Sequence, residues 1–372
     1  MPRLLVLNNY SLARVLEEVR RGDNPAHHLY GIERFGEMGF QVEIIATNEN
    51  ARPLPASLAR SLRVLPPLGN LEQQSLALRR LGHGDLIYAP CQTQAQLLSY
   101  LRAARLLRLP IVTLAHHPIS RSRWPWNLPF LKLQLRGTDA FPSLSRGVAL
   151  EIARVSGRPE LSEPVPWGPD LAYYPRPNGS PGTGAVAAGR TGRDFFTFGR
   201  AATRAGASAK ILCLRSEGLE DHVEFGENVT VTAVDKESDL NYRQMVPVLA
   251  AARVHAIPLV PGDSLAGLTS LTDALALGKP VIMTRHSLID IDIEAEKIGR
   301  WVAPLDVAGW TAALRWFEDH PEESAAMGVR ARRLAEERYN TEIFAKRMVA
   351  IFERVLAAKP RHANRAGATA LS

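Results

Sequence analysis

The chain has 372 residues, of which 46% are hydrophobic and 22% are charged, and its formal net charge is +7. These values are ordinary for a globular protein, and the length allows two domains with separate cores. The sequence contains two cysteines, Cys91 and Cys213, which lie far apart. This count argues against a disulfide framework and against a cysteine zinc site.

No stretch of the sequence approaches the roughly 20 apolar residues that a membrane span requires. The apolar run near the start of the chain is about five residues long, which is too short for the core of a signal peptide. We therefore expect a cytoplasmic protein.

Positive charge is concentrated between Leu86 and Thr138, where the sequence has no Asp or Glu. Trp124, Trp126 and Phe130 stand among these basic residues. Basic and aromatic residues together suit an anionic membrane surface, so residues 120–136 are a candidate for peripheral contact with the plasma membrane. The alternative is a solvated basic surface with its aromatic residues in the core. No nucleic-acid partner is expected, because no nucleic-acid-binding module is recognisable.

Short apolar strands alternate with segments of helical periodicity, which predicts an α/β fold. Residues 167–184 are dense in Pro and Gly, so we interpret them as a linker. We expect two Rossmann-like domains that face each other across a cleft. The predicted domains cover residues 1–166 and 185–340, followed by a helix over 341–358 and a disordered tail over 359–372.

Three helices have well-marked patterns. In the first domain we predict a helix over Ala26–Met38, because its apolar residues recur on one stripe. In the second domain we predict Leu268–Leu277, and the last helix is predicted over Thr341–Ala357.

The stretch from Asp263 to Ile282, DSLAGLTSLTDALALGKPVI, predicts a glycine-containing loop, a short helix and a buried strand. A helix N-terminus after such a loop is suited to an anion such as a nucleotide diphosphate. Asp273 lies about one turn further on and can accept hydrogen bonds from a ribose or sugar hydroxyl. The alternative is an ordinary loop–helix–strand unit in which Asp273 is a solvated surface acid.

Two arginines lie in the predicted turn after the first strand of the second domain. The turn, in AVAAGRTGRD, contains Arg190 and Arg193, and it lies at the carboxyl end of its strand. Two guanidinium groups near a helix N-terminus form a suitable clamp for a diphosphate. The alternative is that they are surface residues paired with Asp194 or Glu217.

Two pairs of adjacent histidines complete the candidate residues. His116 and His117 follow a buried strand and are expected at the rim of the cleft, where one of them can bind a sugar hydroxyl. His27 and His28 are expected on the same edge, on the acceptor side. Adjacent side chains of an extended segment point to opposite sides, so the pair His116 and His117 does not favour a metal site. The alternative for His27 and His28 is that they are surface residues at the end of a helix. The sequence has no nucleophile elbow, HExxH motif or P-loop, which disfavours hydrolase and kinase functions.

These motifs resemble the GT-B glycosyltransferases, and specifically glycosyltransferase family 4, which is a retaining family. The resemblance covers nearly the whole chain and depends on six motifs in the family's order. They are WGPDLAYYP, AAGRTGRD, VLAAARVHAIPLV, TDALALGKPVI, GRWVAPLDVAGWTAAL and ARRLAEERYNTEIFAKRMVAIFERVL. The resemblance implies that the last helix crosses back onto the first domain.

The resemblance also implies transfer of a sugar from a nucleotide-sugar donor, such as a UDP- or GDP-sugar, to a hydroxyl of a lipid-linked or saccharide acceptor. No metal ion or other cofactor is implied. Arg193 and either His116 or His117 take the catalytic positions. The implied donor site comprises Arg190, Glu217, Ser264, Gly267, Leu268, Thr269 and Asp273, of which Asp273 replaces a glutamate that binds ribose.

The sequence departs from the family pattern at two positions. A first glutamate usually stands eight residues before the second, where this chain has Leu265, or Ser264 after a one-residue shift. A lysine that often follows the arginine turn is also missing between Asp194 and Ala209. Two alternatives therefore stay open, a sugar-nucleotide epimerase of similar architecture and a degenerate nucleotide-sugar-binding protein.

Overall fold

The first half of the chain folds around a four-stranded parallel sheet. In a computed structural model of the protein, the described residues are 1–46, 67–82, 85–119, 128–177, 182–219, 225–235 and 241–358. The first sheet consists of β1 (Arg3–Val6), β2 (Gln41–Ile44), β3 (Leu86–Ala89) and β4 (Ile111–Thr113). Their order is β2-β1-β3-β4, and every neighbouring pair is parallel.

The second half folds around a six-stranded parallel sheet. Its strands are β5 (Ala185–Ala188), β6 (Ala209–Leu214), β7 (Val229–Val234), β8 (Val254–Ile257), β9 (Val281–Thr284) and β10 (Gly299–Val302). The order β10-β9-β8-β5-β6-β7 reverses direction between β5 and β8. Such a reversal opens a crevice at the carboxyl ends of the two strands, which is where α/β sheets bind ligands.

Helices connect the parallel strands and cover the faces of both sheets. In the first half they are α1 (Leu12–Arg20), α2 (Ile32–Phe35), α3 (Leu71–Arg79), α4 (Gln96–Ala103), α5 (Leu128–Arg136) and α6 (Arg146–Ser156). In the second half they are α7 (Phe195–Ala205), α8 (Tyr242–Ala251), α9 (Leu268–Leu277), α10 (Val307–Asp319), α11 (Pro321–Glu337) and α12 (Thr341–Ala357). Within the described ranges, none of these helices is long and apolar enough to cross a membrane.

The predicted helix over Ala26–Met38 is broken in the structure. A 3-10 helix over Ala26–Leu29 ends at Tyr30 and Gly31, which have φ angles of 52° and 85°. Carbonyl groups at this point accept side-chain hydrogen bonds, since the Tyr10 hydroxyl donates to His28 at 2.6 Å and the Tyr88 hydroxyl donates to Tyr30 at 3.2 Å. Tertiary contacts thus replace the helical ladder, and α2 begins only at Ile32.

The last helix packs against the first sheet, as the resemblance implied. Phe344, Met348 and Phe352 of α12 are buried in the cluster that contains residues of β1 and β3. The Phe352 ring lies 5.2 Å from the ring of Tyr88. The predicted tail over 359–372 lies outside the described residues.

Candidate functional site

A cavity of about 300 Å³ lies at the reversal point of the second sheet, between the loops of the two halves. The sequence-predicted residues that line it are His28, His116, His117, Arg190, Arg193, Gly267, Leu268, Thr269 and Asp273. Further lining residues, which were not among the predicted site residues, are Tyr30, Leu144, Trp167, Tyr242, Met245 and Ser270. The structure therefore brings together most residues that the sequence proposed.

The N-terminus of α9 forms one wall of the cavity. Gly267 is the N-cap with a φ of 82° and provides no side chain to cap the helix. A Cβ atom at this position would stand 2.7 Å from Cε of Met283, so both the backbone angle and the packing require glycine. The first amides of α9 therefore face the cavity with the positive end of the helix dipole.

Arg193 lies beside that helix end. Its guanidinium donates to Oγ of Ser270 at 2.8 Å and to the carbonyls of Thr191 at 3.1 Å and Ala188 at 3.3 Å. A Cβ atom on Gly189 would stand 2.3 Å from Nε of Arg193, so this glycine makes room for the guanidinium. Burial lowers the pKa of Arg193 to about 10, which leaves the group charged at neutral pH. The result is a fixed positive charge next to the amides of α9.

Asp273 is buried, and the alternative of a solvated surface acid is wrong. Asp273 is 4% exposed, and its Oδ1 accepts a hydrogen bond of 2.5 Å from the hydroxyl of Tyr174. Burial raises the pKa of Asp273 to about 7, although the Tyr174 hydrogen bond and the Arg193 charge both act to lower it. Near neutral pH this carboxyl group can therefore exchange a proton.

His116 and His117 both line the opposite wall of the cavity. Their backbone amides donate to Oε1 of Gln92 at 3.0 Å and 3.1 Å, which fixes the turn after β4. The ring of His116 packs 4.9 Å from that of Tyr30, and its buried Nε2 has no hydrogen-bond partner among the described residues. Burial lowers the pKa of His116 to about 4, so the imidazole is neutral at pH 7. A neutral ring with an unsatisfied nitrogen suits the hydroxyl of a ligand.

The pair His27 and His28 divides between core and cavity. His28 lines the cavity, and its Nε2 lies 3.0 Å from the hydroxyl of Tyr242. His27 is 1% exposed and is not a lining residue. It packs edge-on against Trp167, whose Nε1 donates to the His27 carbonyl at 3.1 Å. The expected ligand role on the acceptor side therefore fits His28, whereas His27 is a core residue.

Two other predicted donor residues do not line the cavity. Ser264 stays outside, and the next residue, Leu265, provides an apolar part of the wall. Glu217 ends a 3-10 helix after β6, and its charge raises the pKa of Arg193. Of the lining residues that the sequence patterns did not indicate, Tyr30 and Trp167 lie in loops, whereas Tyr242, Met245 and Ser270 lie on α8 and α9. The one signal for Trp167 was its place in the predicted linker.

Comparison with known proteins gives one sequence relative and a set of similar structures. No protein-family model matches the sequence. The MMP alpha-(1->4)-mannosyltransferase of Mycolicibacterium hassiacum is 25% identical over 277 residues, which span 67% of this chain and 66% of that protein.

The similar structures align over almost the whole chain. Sucrose-phosphate synthase from Thermosynechococcus elongatus has a TM-score of 0.72 at 15% identity, over 96% of this chain and 100% of that one. HepE from Anabaena, solved in complex with UDP and glucose, has a TM-score of 0.67 at 15% identity, over 95% and 100% of the two chains. The chain therefore has the GT-B fold, with two Rossmann-like halves and a C-terminal helix that crosses back to the first half.

Proposed function

We propose that the protein is a glycosyltransferase that moves a sugar from a nucleotide-sugar donor to an acceptor hydroxyl with retention of configuration. The observation that carries this proposal is the arrangement of charge across one cavity. Arg193 and the amides of α9 form one wall, and the neutral imidazole of His116 lies on the other. The similarity to a mannosyltransferase and to HepE, which binds UDP and glucose, agrees with it.

The donor diphosphate would lie at the N-terminus of α9, where Leu268 and Thr269 provide backbone N–H groups and Arg193 provides a full charge. Asp273 would accept hydrogen bonds from the ribose, since it lies one turn deeper on the same helix. The transferred sugar would then extend toward His116 and His117. Because positive charge at the leaving group comes from the protein, the proposed reaction uses no metal ion.

Retention is supported by the distribution of acids. Among the described residues that line the cavity, Asp273 is the sole carboxylic acid, and it is engaged by Tyr174. No other carboxylate among the described lining residues is therefore placed to act as the general base of an inverting displacement or as the nucleophile of a covalent intermediate. In the proposed step the bond from the anomeric carbon to the diphosphate oxygen breaks, and the bond to the acceptor oxygen forms on the same face. The acceptor proton passes to the departing diphosphate.

The proposed acceptor is a saccharide or a lipid-linked glycan, with contact to an anionic membrane through residues 120–136. Residues 120–127, which include Trp124 and Trp126, lie outside the described residues. In α5, Leu128, Lys132 and Arg136 are exposed at four-residue spacing and so share one face. Phe130 instead packs toward Tyr100, at 6.4 Å between ring centroids. The described part of the segment thus offers a basic face with one exposed leucine.

The first test is a thermal-shift screen against UDP, GDP, ADP and their common sugar conjugates. One nucleotide should raise the melting temperature selectively, because a ligand that binds only the folded state stabilises it. Arg193→Ala should then lower turnover of the matching donor by about 100-fold or more. The control is Arg154→Ala, which removes an exposed arginine of α6 and should leave turnover unchanged.

Three outcomes would contradict the proposal. If no nucleotide stabilises a well-folded sample, the cavity does not bind a nucleotide-sugar. Binding without any sugar transfer or donor hydrolysis would indicate a nucleotide-sugar-binding protein. A product that differs from the donor only in sugar stereochemistry would indicate an epimerase.

A further inference from the structure

A second cavity, of about 550 Å³, lies at the same edge of the second sheet as the first. Its walls are the segment after β8, the end of β9 with the segment after it, and Trp301 of β10 with Pro304 beyond it. The first cavity lies where β5 and β8 adjoin. The volume is within the range of small-molecule binding sites. In the strand order β10-β9-β8-β5-β6-β7, the second cavity lies toward β10, and the first cavity lies between it and β6.

The loop after β8 separates the two cavities and contributes to both. Val260, Pro261 and Gly262 line the second cavity, and residues 265–267 line the first. Asp290, on the rim of the second cavity, accepts a hydrogen bond of 2.7 Å from the backbone amide of Arg146, at the start of α6. Since α6 belongs to the first half of the chain, the second cavity lies next to a contact between the two halves.

The side chains of the second cavity suit a neutral, polyhydroxylated ligand. The indole of Trp301 is half-buried, and its Nε1 donates to Oδ1 of Asp292 at 3.1 Å, which fixes the plane of the ring. Asp292 also accepts from the amides of Glu294 and Ala295, so its carboxylate is oriented. An aromatic face beside fixed polar groups can pack on the apolar face of a sugar ring while the hydroxyls are bound at its edge.

The charges of the second cavity disfavour a phosphate or a nucleotide. Arg285 is the sole Lys or Arg among the described residues that line it. Its guanidinium lies 3.4 Å from Glu294 and 5.4 Å from the centroid of the Trp301 ring, so a sugar that packs on this face displaces the exposed Arg285 side chain. Asp290 and Asp292 line the same cavity. No uncompensated positive charge is thus available for an anion.

We propose that the second cavity binds a neutral sugar unit of the acceptor other than the unit that reacts, so that the enzyme prefers oligosaccharide acceptors to monosaccharides. This inference rests on the proposed function, since it extends the acceptor from the reaction centre along the cleft. Trp301 is then a specificity-determining residue that never touches the donor.

The test uses the full-length chain labelled with 5-fluorotryptophan, in which Trp301→Phe identifies the fluorine signal of Trp301. The probes are α-(1→4)-linked mannohexaose and maltohexaose, mannose, glucose, UDP and inorganic phosphate. We expect a hexasaccharide to shift the Trp301 signal at concentrations at least about tenfold lower than the monosaccharides do, and UDP and phosphate to leave it unchanged.

Kinetics provide the second readout. Trp301→Ala should raise KM for the hexasaccharide acceptor about tenfold, leave KM for the donor unchanged and reduce the preference for long acceptors. Trp301→Phe should restore part of that preference. The matched control, Trp316→Ala, changes a tryptophan of α10 that stacks on His320 and does not line the cavity, and it should leave the preference intact.

The outcomes separate this inference from the proposed function. If the donor nucleotide binds and its sugar is transferred, but no saccharide shifts the Trp301 signal, the second cavity is not an acceptor site. A shift with phosphate or UDP at the same concentrations would also overturn the inference. If no nucleotide binds at all, the proposed function fails, whatever Trp301 reports about saccharides.

Discussion

The proposed nucleotide binding should depend on pH because Asp273 is buried, and Tyr174→Phe should shift that dependence. Several groups face the Asp273 carboxyl. Tyr174 lies in the linker, Arg193 in the turn before α7 and Tyr242 on α8. Tyr242 is close enough that the charge of Asp273 raises the pKa of the Tyr242 hydroxyl. The Tyr174 hydroxyl and the Arg193 charge both favour the ionised carboxylate. Removing the hydroxyl must therefore raise the pKa of Asp273 further.

The size of the shift follows from the strength of one charged hydrogen bond. Such a bond contributes about 1.5–3 kcal/mol, and one pKa unit corresponds to about 1.4 kcal/mol. The pKa of Asp273 should thus move from about 7 to roughly 8 or higher. At pH 7 the ionised fraction then falls from about one half to about one tenth. Since a ribose donates to the ionised form, nucleotide affinity at pH 7 should fall about fivefold and recover by about pH 9.

The assay is calorimetric titration of the nucleotide found in the screen, at several values between about pH 7 and 9.5. The matched control is Tyr173→Phe, because the neighbouring hydroxyl donates to the carbonyl of Asp23 at 3.3 Å and does not contact Asp273. A Tyr174→Phe profile that runs parallel to that of the wild type, weaker by the same factor at every pH, would refute the reasoning. It would mean that Tyr174 shapes the site without influencing the ionisation of Asp273.

Two further substitutions test the walls of the first cavity. The pKa of Asp273 is raised from 3.8 to about 7, so the folded state binds the proton more tightly and loses stability as pH rises through that window. Asp273→Asn should therefore stabilise the protein at pH 8 by as much as about 4 kcal/mol, with no gain in stability below about pH 4. The measurement is thermal unfolding of both proteins across this pH range. If the stability of the variant changes with pH as that of the wild type does, the prediction is contradicted. Gly267→Ala should destabilise the fold by roughly 1–3 kcal/mol and weaken diphosphate binding, because its Cβ meets Met283 in a left-handed backbone. Gly206→Ala is the control, because Gly206 also has a left-handed φ (70°) but no atom lies within 4 Å of a Cβ added there. Equal unfolding free energies for the two variants would exclude the packing clash at Gly267.

Local sequence patterns were sufficient for the elements whose ends are chemically marked. The helix over Leu268–Leu277 was predicted with its observed bounds, because Gly267 begins it and Gly278 ends it, each with a positive φ. The helix over Thr341–Ala357 was also predicted as observed, and Asn340 caps it through a bond to the amide of Ile343. The strand over Gly299–Val302 was not predicted as a strand, because at its two central positions, Arg300 and Trp301, the side chains are only partly buried.

The sequence by itself determined the fold class and predicted a helix N-terminus, two arginines and a histidine pair at strand ends. Only the tertiary structure decided which of these residues lie together. It buried Asp273 beneath Tyr174, turned His28 toward the cavity and His27 into the core, and broke the helix at Tyr30. The physical reason is that burial, pKa and side-chain hydrogen bonds depend on partners that are distant in the sequence, such as Asp273 and Tyr174, which are 99 residues apart. Local periodicity contains no record of such partners.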